Sequence, residues 1–283
     1  MPELPEVETI RRDLYKKILG KKIESIALLS PSSVKNPGEF FAASLDNNSI
    51  KNIDRIGKLL IFELQEKSLF LLVHLKMTGK LLYAEKNEVS GGGHSLTHHP
   101  QSKFTRVLIT FSDQSTLSFE DMRRFGYLKV VDAQELQKIK NKFGIEPLTP
   151  NFTFEKFVKI FQKRKAPLKA ILLNQACISG LGNIYVDEVS FDAKVHPGRG
   201  VHTLKMAEIK ALFVACTKVL QKAIEQRGTT FYSYVDAGGK QGNYLRLLQV
   251  YRRHNLPCIR CQTPIQKTRL AGRGTHFCPT CQK

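Results

Sequence analysis

Four cysteines near the C-terminal end of the chain constrain its fold more than any other feature. Cys258 and Cys261 are separated by two residues, as are Cys278 and Cys281, and sixteen residues lie between the two pairs. This spacing is typical of a zinc ribbon, in which each pair forms one knuckle and the intervening chain runs out and back as a hairpin. Two disulfides or four unrelated thiols are the alternatives. We predict one structural zinc ion, because metal binding would supply folding energy that so short a segment lacks.

The charge of the chain indicates the class of its partner. Among 283 residues, 44 are Lys or Arg and 25 are Asp or Glu, which gives a formal net charge of +19. Such an excess favours a polyanion, with nucleic acid first and a membrane surface second. The longest apolar runs, such as residues 69–73, are far too short to span a bilayer, and the first residues lack the apolar region of a signal peptide. We therefore expect no membrane contact and no export.

The other two cysteines, Cys177 and Cys216, lie in apolar helical patterns and are predicted to be buried thiols. Six cysteines used in this way favour a reducing, cytoplasmic setting.

The spacing of apolar residues predicts a β-rich N-terminal domain over residues 1–132. Residues 5–20 have helical spacing, with Pro5 at a first helical position and Gly20 as a stop. Beyond them the apolar period becomes two, which predicts about eight strands in a sandwich or a flattened barrel. The predicted strands cover residues 23–30, 49–55, 58–64, 68–75, 80–84, 104–111, 115–119 and 126–131.

The chain changes character after residue 132. Residues 133–148 are polar and then proline-rich, which predicts a linker that begins with a short helix. Residues 149–228 have helical spacing, residues 229–248 form a glycine-rich loop and connection, and residues 249–283 form the cysteine-bearing tail. The predicted fold class is therefore α+β and multidomain, with a β-sandwich, a helical domain and a C-terminal zinc hairpin.

Arg273 lies between two glycines in the middle of the predicted hairpin. From residue 237 to the end there are nine Lys or Arg residues and no Asp or Glu. A solvated basic face is one interpretation. The more specific interpretation, which we favour, is that Arg273 binds a phosphate group, since a guanidinium can bind phosphate through two hydrogen bonds.

The first residues have a chemistry of their own. A methionine followed by a small residue such as proline is normally removed, which would leave Pro2 with a free secondary amine. An α-amino group has a pKa near 8, so roughly a tenth of it is neutral at pH 7 and nucleophilic. Its adduct with an aldehyde carbon is a charged iminium, which acts as an electron sink for elimination.

Three further side chains have a simple structural explanation beside a catalytic one. Glu3 lies next to the amine and can donate a proton. Lys58 follows Gly57 at the start of an apolar strand, where a strand-edge charge is the plainer interpretation. Glu6 lies in the first helical turn, where an acid favours the helix dipole.

Five segments of the sequence together resemble the formamidopyrimidine-DNA glycosylases, bacterial enzymes that remove 8-oxoguanine and ring-opened purines. They occur in family order along the whole chain and are MPELPEVETIRR, HLKMTGKL, DMRRFGYL, LGNIYVDEVSF and GRGTHFCPTCQK. The opening PELPEVE favours this branch over the related endonuclease VIII branch. The resemblance implies an N-terminal β-sandwich, a helix–two-turn–helix domain and a zinc finger, with double-stranded DNA in the cleft between them.

The resemblance also implies roles for single residues. Pro2 would be the Schiff-base nucleophile on the deoxyribose anomeric carbon, and Glu3 the proton donor for base loss. Lys58 would be the donor for β-elimination and a phosphate ligand, while Arg273 would assist δ-elimination and clamp phosphate. The implied DNA contacts are Met77, Arg123, Phe125, His74, Lys165 and Asn183. A damaged base must leave the duplex to be reached, and the first three of these residues would fill the space that it leaves.

Some alternatives remain open at this point. Without the resemblance, Met77 and Phe125 are predicted to be core residues. Phe104 stands where the family often has a DNA-contacting histidine, and the histidines of residues 91–102 belong either to a mobile loop or to a metal site. For the whole chain, the alternatives are a non-catalytic zinc-ribbon DNA binder and a glycosylase for oxidised pyrimidines.

Overall fold

The chain folds into two compact units. The computed structural model describes residues 1–66, 68–86 and 102–283. The first unit comprises Met1–Lys140 with Arg227–Gly242, and the second comprises Asn141–Gln226 with Asn243–Lys283.

The first unit is a sandwich of two antiparallel four-stranded sheets preceded by a long helix, α1 (Leu4–Ile18). Its strands are β1 (Ile23–Leu28), β2 (Ile50–Ile56), β3 (Leu59–Leu64), β4 (Leu69–His74), β5 (Gly79–Ala84), β6 (Thr105–Phe111), β7 (Thr116–Asp121) and β8 (Tyr127–Asp132). The strand order is β1-β6-β7-β5 in one sheet and β2-β3-β4-β8 in the other. All eight predicted strands are present, and the sandwich is confirmed over the flattened barrel.

Alternating side chains of both sheets and one face of α1 share a single apolar core. Val7, Ile10 and Leu14 of the helix are fully or almost fully buried in the same cluster as Phe62 and Phe119 of the two sheets. Burial of these large side chains is the main force that holds the sandwich together, at about 25 cal/mol for each Å² of apolar surface. The same burial holds the helix, and with it the N-terminus, against the sheets.

Two short helices complete the first unit. Helix α2 (Gly38–Leu45) was not predicted, because it is only two turns long and contacts β1 and β8 through few apolar side chains, among them Phe41 and Leu45. Helix α3 (Ala133–Lys140) occupies the first half of the predicted linker and packs against β4 and β8. The boundary between the units follows it at residue 140.

The second unit is helical and ends in a β-hairpin. Its helices are α4 (Phe154–Phe161), α5 (Leu168–Leu173), α6 (Asn183–Asp192) and α7 (Met206–Glu225), and the hairpin strands are β9 (Gln266–Leu270) and β10 (Arg273–Phe277). Helix α6 is buried on almost every side and contacts α5, α7 and β10. The predicted α+β multidomain class is thereby confirmed. Cys177 is buried as expected, but it lies in a turn and not in a helix.

Residues Arg227–Gly242 belong to the first unit, although they follow the helices of the second unit in sequence. Tyr234 and Ala237 are part of the sandwich core, and the backbone N–H of Tyr83 donates to the Ala237 carbonyl at 2.9 Å. The glycine-rich composition had indicated only a loop. Its attachment to the first unit depends on contacts with residues more than a hundred positions away.

None of the helices within the described ranges has both the length and the apolar character that crossing a membrane requires.

Candidate active site and metal centre

The N-terminus is buried from its second residue onward. The Met1 side chain is exposed, whereas Pro2 and Glu3 are buried at the start of α1. The helix begins at Leu4 with Pro5 in its first turn, where the missing proline N–H costs no helical hydrogen bond. A chain end held in this way places the amine of residue 2 at a defined point on the sandwich once the exposed methionine is removed.

Glu6 connects the N-terminus to the 227–242 segment. One of its carboxylate oxygens accepts the backbone N–H of Glu3 at 2.8 Å, and the other accepts the N–H of Thr229 at 2.7 Å. Gly228 has φ +80°, and a Cβ at that position would lie 2.7 Å from the Glu6 Oε1 atom. The backbone conformation and the close approach both require glycine here. The role of Glu6 therefore goes beyond the helix dipole.

Charged groups of both signs surround the terminal amine. Burial lowers the pKa of the Met1 α-amino group below its ordinary value of 8.0; the carboxylates of Glu3 and Glu6 raise it, and the cations of Lys58 and Arg123 lower it. A lowered pKa increases the neutral fraction of the amine, which is the nucleophilic form. The structure thus brings the amine, an adjacent acid and the lysine of the β2–β3 turn together.

Lys58 is buried although it carries a charge, with 7 % of its surface exposed. It lies in the turn immediately before β3 and acts electrostatically on both the terminal amine and His74. A strand-edge charge would be solvated, so the plainer sequence interpretation of this residue is wrong.

His74, the last residue of β4, is neutral. Burial, with added repulsion from the cations of Lys76 and Lys58, lowers its pKa to about 3. The Nδ1 atom accepts the backbone N–H of Lys76 at 3.0 Å, so the ring proton is placed on Nε2. That N–H is available as a hydrogen-bond donor at physiological pH.

Met77, Arg123 and Phe125 are all exposed, on the β4–β5 and β7–β8 turns. Their exposure overturns the interpretation of Met77 and Phe125 as core residues. The Arg123 guanidinium lies 4.6 Å from the centre of the Phe125 ring, a cation–π contact that orients both side chains.

Asp121 organises both of these turns, and the sequence analysis missed it. Its carboxylate accepts the Thr78 hydroxyl from one turn and the backbone N–H groups of Arg123 and Gly126 from the other, at 3.1 and 2.7 Å. It is fully buried. An acid at the end of a strand and directly before a basic turn was the available signal.

The four C-terminal cysteines form a site for one metal ion. Their Sγ atoms all lie within 4.8 Å of one another, and the Cys258–Cys281 and Cys261–Cys278 pairs are 3.9 and 3.4 Å apart. A tetrahedral zinc with bonds of about 2.3 Å would place its sulfurs about 3.8 Å apart, so the arrangement fits. The backbone N–H of Arg260 donates to Cys258 Sγ, as N–H groups do to thiolates in such knuckles.

Arg273 is exposed at the end of the hairpin. The two residues before it, Ala271 and Gly272, have φ of +50° and +71°, which corresponds to a two-residue type I′ turn. Arg273 therefore opens β10 directly after the turn.

A buried polar cluster joins this hairpin to α5 and α6. Lys169 and Asp187 form a fully buried ion pair at 2.7 Å, and the lysine also donates to the Gly274 carbonyl at 3.1 Å. Asp187 accepts the backbone N–H of His276 at 2.9 Å. The Asn183 amide donates to the same Gly274 carbonyl at 3.1 Å. The strand that begins with Arg273 is thus attached to the first residue of α6.

Glu188 secures the chain that leads to the tail. Its carboxylate accepts three successive backbone N–H groups, from Gln249, Val250 and Tyr251, at 2.9–3.0 Å. Burial raises its pKa to about 7 against the lowering effect of these three bonds. Neither acid of the Asp187–Glu188 pair was singled out from the sequence, since acids inside an apolar helix are usually assigned to its solvent face.

Lys165 is exposed in the connection between α4 and α5. The predicted histidine loop, with His94, His98 and His99, lies outside the described residues.

Models of three protein families match the chain in sequence. They are the formamidopyrimidine-DNA glycosylase N-terminal domain over residues 1–128, the helix–two-turn–helix domain of the same glycosylase over residues 143–234, and the zinc finger found in this glycosylase and in isoleucyl-tRNA synthetase over residues 255–283.

Similar proteins cover the chain from end to end. The formamidopyrimidine-DNA glycosylase of Streptococcus pneumoniae is 40 % identical, with 100 % of this chain and 99 % of the relative covered. That of Listeria innocua is 39 % identical, with both chains covered completely. The Lactococcus lactis enzyme in complex with abasic-site DNA is 37 % identical, with a TM-score of 0.88 and 99 % of each chain covered. This chain therefore belongs to the formamidopyrimidine-DNA glycosylase family.

Proposed function

We propose that the protein is a base-excision-repair DNA glycosylase and abasic-site lyase that acts on oxidised purines in double-stranded DNA. It would flip out 8-oxoguanine or a formamidopyrimidine, remove the base and then cleave the strand by β,δ-elimination. The observation that carries the proposal is the buried Pro2 behind an exposed Met1, with Glu3 and Lys58 acting on the α-amino group of that methionine, one residue before Pro2.

In the proposed reaction the Pro2 nitrogen, as a neutral amine, attacks C1′ of the damaged nucleotide. The bond from C1′ to the base breaks as its electron pair leaves with the base, and Glu3 supplies the proton that makes the base a neutral leaving group. The nitrogen loses its proton, the C1′–O4′ bond breaks as O4′ takes up a proton, and the ring-opened sugar is then joined to the protein as an iminium. Because the iminium carbon accepts electrons, the C2′ proton becomes acidic and the 3′-phosphate leaves by β-elimination.

Lys58 is proposed to serve the elimination and to bind a phosphate, and Arg273 to assist the second, δ-elimination. Two eliminations leave a gapped strand with phosphates at both ends. Zinc would have a structural part, since four thiolates leave no coordination position for a reactant. It would hold the hairpin that carries Arg273.

Four of the proposed DNA contacts, Met77, Arg123, Phe125 and Lys165, are exposed, whereas His74 and Asn183 are half-buried. Met77 and Phe125 would fill the space left by the flipped nucleotide, and Arg123 would bond the base that has lost its partner. His74, neutral and a donor, and Lys165 would contact the backbone, and Asn183 at the start of α6 would contact a phosphate. The net charge of +19 supplies the long-range attraction to DNA.

A second substrate class has an observation in its favour. The solved structures include the Lactococcus lactis enzyme in complex with DNA that contains an oxidised pyrimidine, with 37 % identity and a TM-score of 0.89. Other complexes of that enzyme contain Fapy-dG. We propose oxidised purines as the main substrates, and faster removal of thymine glycol than of 8-oxoguanine would overturn that assignment.

We also propose that the protein acts as a monomer in the bacterial cytoplasm, associated with the nucleoid. The bacterial sources of the similar proteins support the compartment.

Borohydride trapping tests the proposed chemistry directly. Reduction of the iminium should link the protein covalently to an 8-oxoguanine:cytosine duplex, whereas an undamaged duplex should give no linked species. Intact mass should show that Met1 has been removed. Absence of a trapped species from correctly processed protein would exclude the Pro2 mechanism and favour the non-catalytic zinc-ribbon DNA binder.

A further inference from the structure

Glu8 lies one turn beyond the catalytic N-terminus on α1 and binds three arginines. Its carboxylate accepts the Arg11 guanidinium at 2.9 and 3.0 Å, Arg12 Nε at 2.7 Å and Arg55 Nε at 3.1 Å. The first two of these arginines belong to the same helix. Arg55 belongs to β2, so Glu8 joins the helix to the sheet.

Arg55 joins Glu8 to the turn that contains Lys58. While its Nε atom donates to Glu8, its Nη1 atom donates to the backbone carbonyl of Gly57 at 2.8 Å. Gly57 is the residue immediately before Lys58 in the chain. A planar guanidinium can make both bonds in fixed geometry, which an ammonium on a flexible stem cannot do.

The burial of this chain of contacts shows that it is not a surface ion pair. The side chains of Glu8 and Arg55 are 9 % and 8 % exposed, whereas that of Arg12 is 52 % exposed. The arginines outweigh the effect of burial and lower the pKa of Glu8 to about 2, so it is ionised at physiological pH. Arg11 adds a parallel link, through a 3.3 Å bond to the Ile53 carbonyl of β2.

We infer that Glu8 is a positioning residue that sets Lys58 relative to the N-terminal amine, acting through Arg55 and the Gly57 carbonyl. The inference rests on the proposed function for the identity of the reaction. The amine is fixed to the start of α1, and Lys58 is fixed to the end of β2. The Glu8–Arg55 pair holds these two elements together one helical turn beyond the first residues of α1. Loss of the pair would leave both reacting groups present but misplaced.

Three variants separate this role from general stability. Glu8→Gln removes the charge that binds Arg55, and Arg55→Lys keeps a cation but cannot bond Glu8 and Gly57 together. Arg12→Gln is the matched control, because it removes an arginine from the same carboxylate but leaves the chain to Gly57 intact. All are assayed well below their own melting temperatures, under single turnover with saturating protein, on a duplex with a preformed abasic site.

Glu8→Gln and Arg55→Lys should slow strand cleavage by roughly ten- to a hundredfold, which is the effect of displacing a reacting group by about 1 Å. The protein concentration for half-maximal rate should change less than threefold, and borohydride trapping should still reach the wild-type extent. Arg12→Gln should cleave within about twofold of the wild type. Hydrogen exchange of the peptide that contains Gly57 and Lys58 should increase in the first two variants only.

Wild-type cleavage and unchanged exchange in folded Glu8→Gln and Arg55→Lys would overturn the inference. So would an equal loss in Arg12→Gln, since that would indicate a general effect of charge. A wild-type protein that neither traps nor cleaves would instead refute the proposed function, and the exchange experiment would still decide whether the pair holds the turn.

Discussion

The two ends of this chain, to which we assign the proposed chemistry, are held in place by different physical means. The N-terminal end is the first turn of a helix whose apolar face belongs to the large core of the sandwich. The C-terminal end is a two-stranded hairpin, next to which Cys258 and Cys278 pack in a small cluster with the fully buried Phe191, Val250 and Ile265. Apolar burial holds the first end, whereas a metal site and a buried ion pair hold the second.

The difference indicates what kind of change would displace each end. A helix anchored by a core of this size keeps its position unless the whole unit unfolds. A two-stranded hairpin is marginal by itself, so its position depends on ligands and a few polar bonds. The contacts of Glu6 and Glu8 therefore fix the exact position of a helix that the apolar core already holds in place. In the tail, by contrast, the metal site and the polar bonds are themselves what holds the hairpin in place.

Removal of the metal should have the largest effect and should affect one end only. Cys258→Ser should lose the zinc ion, unfold the hairpin and displace Arg273. Loss of one charged phosphate contact should weaken DNA binding roughly ten- to a hundredfold. Metal content measured by emission spectroscopy and DNA affinity measured by fluorescence anisotropy check this expectation.

Cys216→Ser is the matched control, since it changes a buried thiol of α7 but leaves the four ligands in place. It should keep one zinc per chain and wild-type affinity. Full DNA affinity in a metal-free Cys258→Ser protein would contradict the dependence of the tail on its metal.

Gly228→Ala tests the N-terminal end with an intermediate effect. The new Cβ would meet a Glu6 oxygen at 2.7 Å, and Glu6 cannot move without losing its bond to Glu3 or to Thr229. We expect cleavage to slow about tenfold, because the amine would be displaced. Single-turnover cleavage of an abasic-site duplex measures this.

Gly20→Ala supplies the control for backbone strain. Gly20 has φ +76°, close to the +80° of Gly228, but a Cβ there would meet nothing within 4 Å. Both alanines should destabilise the protein by about 1–2 kcal/mol through the left-handed conformation. Equal cleavage rates in the two variants would show that Glu6 does not hold the N-terminus in place.

The smallest expected effect is a dependence of stability on pH. Glu8 has a pKa of about 2 in the folded protein against an ordinary value of 4.5. The unfolded chain binds this proton more tightly, so the stabilisation is complete above pH 4.5 and is lost as the pH falls towards 2. The melting temperature of the wild type should therefore exceed that of Glu8→Gln most at pH 6, and the difference should shrink between pH 4.5 and the lowest pH at which both fold. A constant difference would show that Glu8 is not held ionised by its arginines.

Most secondary structure could be predicted because it depends on the spacing of apolar residues within short stretches of the chain. The period-two strands, the helical face of Val7, Ile10 and Leu14, and the paired cysteines are patterns that neighbouring residues display together. The metal site was predictable for the same reason, since its ligands are close in sequence and its chemistry tolerates few alternatives. Helix α2 escaped prediction because two turns give too few repeats to establish a period.

The polar connections could not be predicted, because each depends on residues far apart in the chain. Glu6 and Thr229 are 223 positions apart, and Lys169 and Gly274 are 105 apart. An acid in a first helical turn, or inside an apolar helix, has an ordinary local explanation that hides its distant partner. Asp187 was missed for that reason.

By itself, the sequence determined the change from a β-rich to a helical part of the chain, most strands and helices, the metal ligands and a terminus with a proline and an acid side by side. These depend on residue type and short-range spacing, which the chain carries before it folds. Only the tertiary structure decided that Lys58 is buried beside that terminus, that the 227–242 segment returns to the first unit, and that Glu8 reaches the turn of Lys58 through Arg55. Those outcomes follow from which surfaces bury one another, and burial is a property of the whole fold rather than of any local stretch of the chain.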